Sequence, residues 1–173
     1  MAGSPPKLMA VTSDIIRTWR GPRIVMRGLL AKGKREDRAL AYLIVFCLLV
    51  FVAQWPRLTR AAAGFDLAPG AEPRELMQMM TYELFAWITV WPLAFYALAA
   101  VSHLIAKAFR GRGTHYTARL ALFWSLLASV PLLLLYGLMA GFLGQVAGTH
   151  VIGAAWVLAF GWIWALSLYE AEQ

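Results

Sequence analysis

The sequence predicts an all-α fold: a polytopic transmembrane helical bundle of four spans, preceded by an amphipathic basic N-terminal segment. Three observations predict it. Of 173 residues, 61% are hydrophobic and 14% charged, with a mean hydropathy of +0.62; ordinary soluble domains run near half apolar and about a quarter charged. The apolar residues gather in four long runs, the form that membrane spans take. The basic residues cluster as well: nine of the 16 precede Ala39 and four more lie from Lys107 to Arg119. Topology selection by the positive-inside rule produces that pattern. The net charge of +7 therefore needs no nucleic-acid partner to explain it, and none is expected.

The chain divides into a basic arm at residues 1–38, a four-span domain at 39–169 and a short acidic tail at 170–173. Met1–Lys7 is small and Pro-bearing, as a terminal tail is. From Thr12 or Ser13, either of which suits a helix cap, Ile15, Ile16 and Trp19 alternate with Arg17 and Arg20. Gly21-Pro22 breaks the run, and Pro suits the first turn of a new helix. Ile24, Val25, Leu29 and Leu30 are then interleaved with Arg23, Arg27, Lys32, Lys34 and Arg35. Apolar and cationic residues mixed in this way fit a helix at the membrane interface better than a plain solvated linker.

The first span is Ala39–Trp55, about the shortest length that crosses a bilayer, ending on an interfacial Trp with Pro56 placed to stop the helix. A loop follows whose middle holds the turn formers Gly64, Pro69, Gly70 and Pro73. The second span is Tyr82–Phe109 and the third Arg119–Phe142. At ~1.5 Å per residue, Pro92 and Pro131 lie ~14 Å and ~18 Å from their respective span ends. Both then fall near the bilayer midplane, where each removes a backbone hydrogen bond. They are candidates for a hinge or pocket, or for an adjustment of helix packing. Gly137 and Gly141 form GxxxG, a spacing that lets two backbones approach closely. The fourth span, Val151–Leu168, offers Gly153, Ala154 and Gly161, and close packing of spans three and four is expected. Four spans with this charge pattern put both termini in the cytoplasm.

No Asp, Glu, Lys or Arg lies deep within a span, which argues against a carrier built on a buried carboxylate. Glu83 is expected one turn inside the outer boundary, reaching interfacial water. His103 and His115 can approach each other at the inner ends of spans two and three, but no third ligand has metal spacing, so no metal site is expected. Ser102 and His103 are adjacent on a helix and point apart, so they make no nucleophile and base pair. Ser125 and Ser129 are expected to bond back to their own helix or across to a neighbour. No hydrolase, zinc-protease or phosphate-loop motif is present. Neither an enzyme nor a cofactor is expected. Cys47, the single cysteine, sits in an apolar run as a small hydrophobe. No cleavable signal peptide is expected, because the first apolar run begins only near Ala39.

One stretch, Phe109–Pro131 (FRGRGTHYTARLALFWSLLASVP), has a recognisable design. An aromatic, two near glycines, Thr, an aromatic and a span with small polar residues and a mid-span Pro resemble the Yip1 family. The run RGPRIVMRGLLAKGKREDRALAYL before the first span is similar to its short bacterial members. The resemblance covers Pro22–Leu168 and implies a membrane protein of the bacterial inner membrane. Eukaryotic members usually have five spans and are implicated in vesicle traffic and contact with small GTPases. The expected role is therefore non-catalytic: binding lipid or protein partners as an accessory or organising factor. The candidate residues are Arg23, Arg27, Lys32, Lys34, Arg35, Arg110 and Arg112, facing anionic lipids of the cytoplasmic leaflet, a membrane-protein partner or a second copy. The alternative is a small transporter or channel with a pocket at the Pro92/Pro131 level.

Overall fold

The computed structural model describes residues 7–65, 70, 72–108 and 111–173. Residues 1–6 of the expected Met1–Lys7 tail, part of the long loop, and Arg110 of the candidate set lie outside the described residues, and Lys7 is the first residue of a helix. The described chain is all helical, and four of its helices are long and apolar enough to cross a membrane.

The arm is two helices, α1 (Lys7–Arg20) and α2 (Pro22–Ala31), broken at Gly21-Pro22 as the sequence predicts. The helix start differs from expectation. Thr12 and Ser13 lie inside α1 and do not cap it, because Leu8, Met9 and Ala10 are strong helix formers with no breaker after them.

The first long helix, α3 (Glu36–Ala62), extends beyond the expected span at both ends and runs straight through Pro56. Proline forfeits one backbone hydrogen bond there, but the residues beyond it are held from outside the helix. Arg57 pairs with Glu83 at 3.0 Å, Leu58 is buried, and Arg60 donates to the Phe142 carbonyl.

The second, α4 (Leu76–Ala108), begins before Tyr82. Its Ala86–Val90 segment is π-helical, ending two residues before Pro92. A widened turn accommodates a residue that cannot donate and whose ring crowds the turn below. The third, α5 (His115–Phe142), starts earlier than Arg119 because Thr114 caps it. The Thr114 hydroxyl accepts from the Thr117 N–H, and the Thr117 hydroxyl accepts from the Thr114 N–H. The fourth, α6 (Ala147–Ala171), takes up the first two residues of the expected acidic tail.

The centre of the bundle is α5, whose residues Leu120–Val130 are buried on every side. Leu43, Phe46, Cys47 and Val50 of α3, Ala99 of α4, Ile163 of α6 and Val25, Met26 and Leu29 of α2 join them in one core. Edge-on aromatic pairs, Tyr42 with Trp124 and Tyr96 with Phe123, stitch the neighbours to it at 5.1 Å. Helix α5 packs on α6 as expected, with the Tyr136 ring seated over Gly153. The GxxxG pair does something else. A Cβ on Gly137 would collide with the Ala53 carbonyl and one on Gly141 with Pro56, so both glycines face α3.

Candidate functional site at the basic end

The ends of α4 and α6, the starts of α3 and α5, and both arm helices meet at one end of the bundle. The arm does not stop at the rim. Thr18 is fully buried; its hydroxyl donates to the Asp14 carbonyl at 2.7 Å and accepts from Trp124 Nε1 at 3.1 Å. Trp19 Nε1 donates to the Ala128 carbonyl at 3.0 Å. Ala128 lies ~20 Å along α5 from His115, so α1 leans well down the side of the central helix.

Two residues near the chain's end close the structure here. Glu170, with only 6% of its side chain exposed, takes Arg23 at 3.0 Å and Arg27 at 2.7 Å, one on each carboxylate oxygen. Arg23 also lies over the Tyr169 ring. The hydrogen bond to Glu170, and then its charge, raise the Arg27 guanidinium above its ordinary pKa. Two residues on, Glu172 reaches the opposite way. One of its carboxylate oxygens accepts from the Gly113 N–H at 3.0 Å, the other lies 3.3 Å from His103 Nδ1, and its carbonyl accepts from the Arg112 N–H at 2.8 Å. The glycines of the RGRG turn make this possible: a Cβ on Gly111 or Gly113 would strike the Glu172 carboxylate. The His103 and His115 rings do meet, with centroids 4.2 Å apart. Among the described residues no group of three or more His, Cys, Asp or Glu is arranged to hold a metal ion.

Arg38 ties the remaining pieces together, donating to the Leu29 and Gly33 carbonyls and to the Tyr116 hydroxyl. Arg119 pairs with Glu36 at 2.7 Å. Compared with known proteins, the chain matches no family model, no curated protein and no solved structure.

The predicted cations divide into two groups. Arg23 and Arg27 are held by Glu170, Arg35 by Asp37 at 2.8 Å, and Lys34 by Glu36 at 3.8 Å. Lys32 has no ion-pair partner among the described residues, and the Arg112 side chain is exposed. Pro92 is half-buried and Pro131 exposed. Glu83, expected to reach water, pairs with Arg57 at 3.0 Å while its side chain stays part-exposed. The sequence reading missed Glu170 and Glu172 as organising residues, and it passed over Arg17 and Arg20 as site residues. A signal existed for the two acids: they are the only acidic residues after Glu83, opposite a strongly basic arm.

Proposed function

We propose that the chain is a non-catalytic integral membrane protein of Yip1-like type. It lies in the bacterial inner membrane with both termini in the cytoplasm. Its basic end binds anionic lipid of the inner leaflet, and it serves as an accessory or organising factor.

One observation carries this reading. In the arm, Arg17, Arg20 and Lys32 are exposed alongside exposed Ile16 and Ile24, and Arg27 is exposed beyond its contact with Glu170, while Val25, Met26 and Leu29 anchor the arm to the bundle. Cations beside an apolar strip are what an interfacial helix presents to a leaflet. The depth agrees. Helix α5 has 28 residues, about 42 Å against a hydrocarbon core of about 30 Å. With Phe142 at the far edge of that core, the near edge falls about 30 Å back, close to Leu122. The contact of Thr18 with Trp124 then lies just inside it, at the depth interfacial helices reach.

The proline level supports the rival transporter less well. Leu120–Val130 is enclosed by side chains. The clefts at Trp55–Phe142, between α4 and α6, and at Tyr136–Val157 are lined by neither Pro92 nor Pro131.

The test is isolation of the full-length chain from native membranes in mild detergent, identifying the lipids and proteins that accompany it. Anionic phospholipids should be enriched over the bulk extract and fall away as salt rises. Each basic residue near an anionic leaflet contributes about 1 kcal/mol, screened over a Debye length of about 8–10 Å. Bulk lipid composition, indifferent to salt, would overturn the reading. A stoichiometric protein carried along with bulk lipid would reassign the basic end to protein docking.

A further inference from the structure

We infer that the cleft between α1 and α2 holds the phosphate of one anionic phospholipid, bound by Arg17, Arg20 and Lys32. This rests on the lipid-binding reading above and narrows it from a charged surface to a single bound molecule.

The cations of the basic end are not equivalent. Arg23, Arg27, Lys34, Arg35 and Arg119 each have an acidic partner. Arg17, Arg20 and Lys32 have none among the described residues, yet all three line the same cleft, of about 450 Å³, with Asp14 as its one acid. That volume falls within the roughly 300–1,000 Å³ of small-ligand sites. Charged groups left without a protein partner and converging on one concavity call for a counter-charge. Guanidinium groups suit phosphate oxygens, which they grip in pairs, and an ammonium adds a point charge.

Helical spacing builds the cleft. Arg17 and Arg20, three apart, share a face of α1, while Ile24 and Gly28, four apart, share a face of α2, with Lys32 at the cap that ends it. Gly28 sits in the middle of that second face, and nothing lies within 4 Å of where its Cβ would be. A glycine inside a helix is unfavourable relative to alanine; here it leaves the middle of the cleft open. Val25 and Leu29 form an apolar floor, and Ile24, 76% exposed, stands at the rim. Cations over an apolar floor suit an amphiphile, with the phosphate among the cations and the glycerol and first acyl carbons over Ile24. A free phosphate would leave that apolar surface unused.

The experiment is native mass spectrometry of the full-length chain, supplied with phosphatidylglycerol or phosphatidylcholine in mixed micelles. One phosphatidylglycerol per chain should survive desolvation, and phosphatidylcholine should be lost. Arg17→Ala with Arg20→Ala should weaken retention roughly 30-fold. Gly28→Leu removes no charge and should also abolish retention by filling the cleft, which a diffuse surface effect would not do. Lys34→Ala with Arg35→Ala, outside the cleft, should leave one lipid bound. Should the double arginine variant fail to fold, Gly28→Leu alone decides. Undiminished retention in Gly28→Leu overturns the site, as does equal retention of phosphatidylcholine. Full displacement by equimolar glycerol phosphate overturns the commitment to lipid. If the site fails while salt-sensitive enrichment of anionic lipid persists, the broader reading stands. Loss of that enrichment in the unaltered chain removes both.

Discussion

The two ends of the bundle differ in what dominates their contacts, although the far end has charged contacts of its own in Arg57–Glu83 and in Arg60 on the Phe142 carbonyl. At the far end α3 and α5 meet backbone to backbone, with Gly137 on Ala53 and Gly141 on Pro56. At the basic end the elements meet through charge: Glu170 on Arg23 and Arg27, Glu172 on the Gly113 amide and His103, Arg38 on two carbonyls. Lipid tails compete with any ordinary apolar contact, so within hydrocarbon only close approach favours protein over lipid. At headgroup level ion pairs form without full desolvation, but solvent screens them, and each contributes little. The far end should therefore be the more fixed part of the molecule and the basic end the more adjustable.

The largest expected effect is all-or-none and concerns whether these are opposite sides of a membrane. Reporters fused at Gly70 and at Gln173 should read outside and inside respectively. The same signal at both positions would remove the four-span arrangement and the contrast between ends with it.

Next in size is a break at the fixed end. Leucine at Gly141 must push Pro56 away and separate α3 from α5, an overpacking that costs about 1–3 kcal/mol. The thermal midpoint in detergent should fall for Gly141→Leu and stay close to wild type for Gly161→Leu, since Gly161 has open space around it. Equal midpoints for the two variants would show that the glycine contact contributes nothing special.

A milder break tests the adjustable end. Glu170→Gln leaves Arg23 and Arg27 without their shared carboxylate, yet both cations already reach solvent, at 43% and 69% side-chain exposure. The four spans should stay folded while trypsin cleaves the arm severalfold faster. Unchanged cleavage would mean that apolar contacts of Val25, Met26 and Leu29 hold α2 without the clamp.

Much of this architecture was legible in the sequence because it is local. Apolar runs long enough to cross a bilayer, the break at Gly21-Pro22 and the small-residue spacing at Gly137 and Gly141 all show within one helix length. What was not legible is mostly long-range. Periodicity reports that a helix has a small face, but not which neighbour takes it, so the GxxxG pair was not assigned to α3. Glu170 meets Arg23 across 147 residues, and nothing adjacent to either one announces the pairing. Helix ends formed a third class. The spans were drawn at the limits of apolar composition, whereas α5 starts at a Thr114 cap and α3 runs on past Pro56 because later residues hold it. The candidate site was half legible: the sequence reading selected Arg23, Arg27, Lys32, Lys34 and Arg35 in and after α2, with Arg110 and Arg112, but only the acids of the folded chain show which of the described cations are paired.

The smallest expected effect sharpens the comparison most, because one substitution should change sign between the two ends. Gly28 and Gly137 are both helical, and alanine at either reduces the conformational freedom of the unfolded chain. At Gly28 a methyl enters open space, so Gly28→Ala should stabilise the chain by about 0.4–1 kcal/mol. At Gly137 the same methyl meets the Ala53 carbonyl, and the helix cannot yield without loosening its contact with α3, so Gly137→Ala should destabilise. The two thermal midpoints, measured in one detergent, should therefore move in opposite directions from wild type. A rise in both would mean that α3 and α5 have slack between them and that the far end is no more fixed than the basic one. A fall in both would mean that the α2 face around Gly28 is already filled, and the cleft between α1 and α2 would lose its opening.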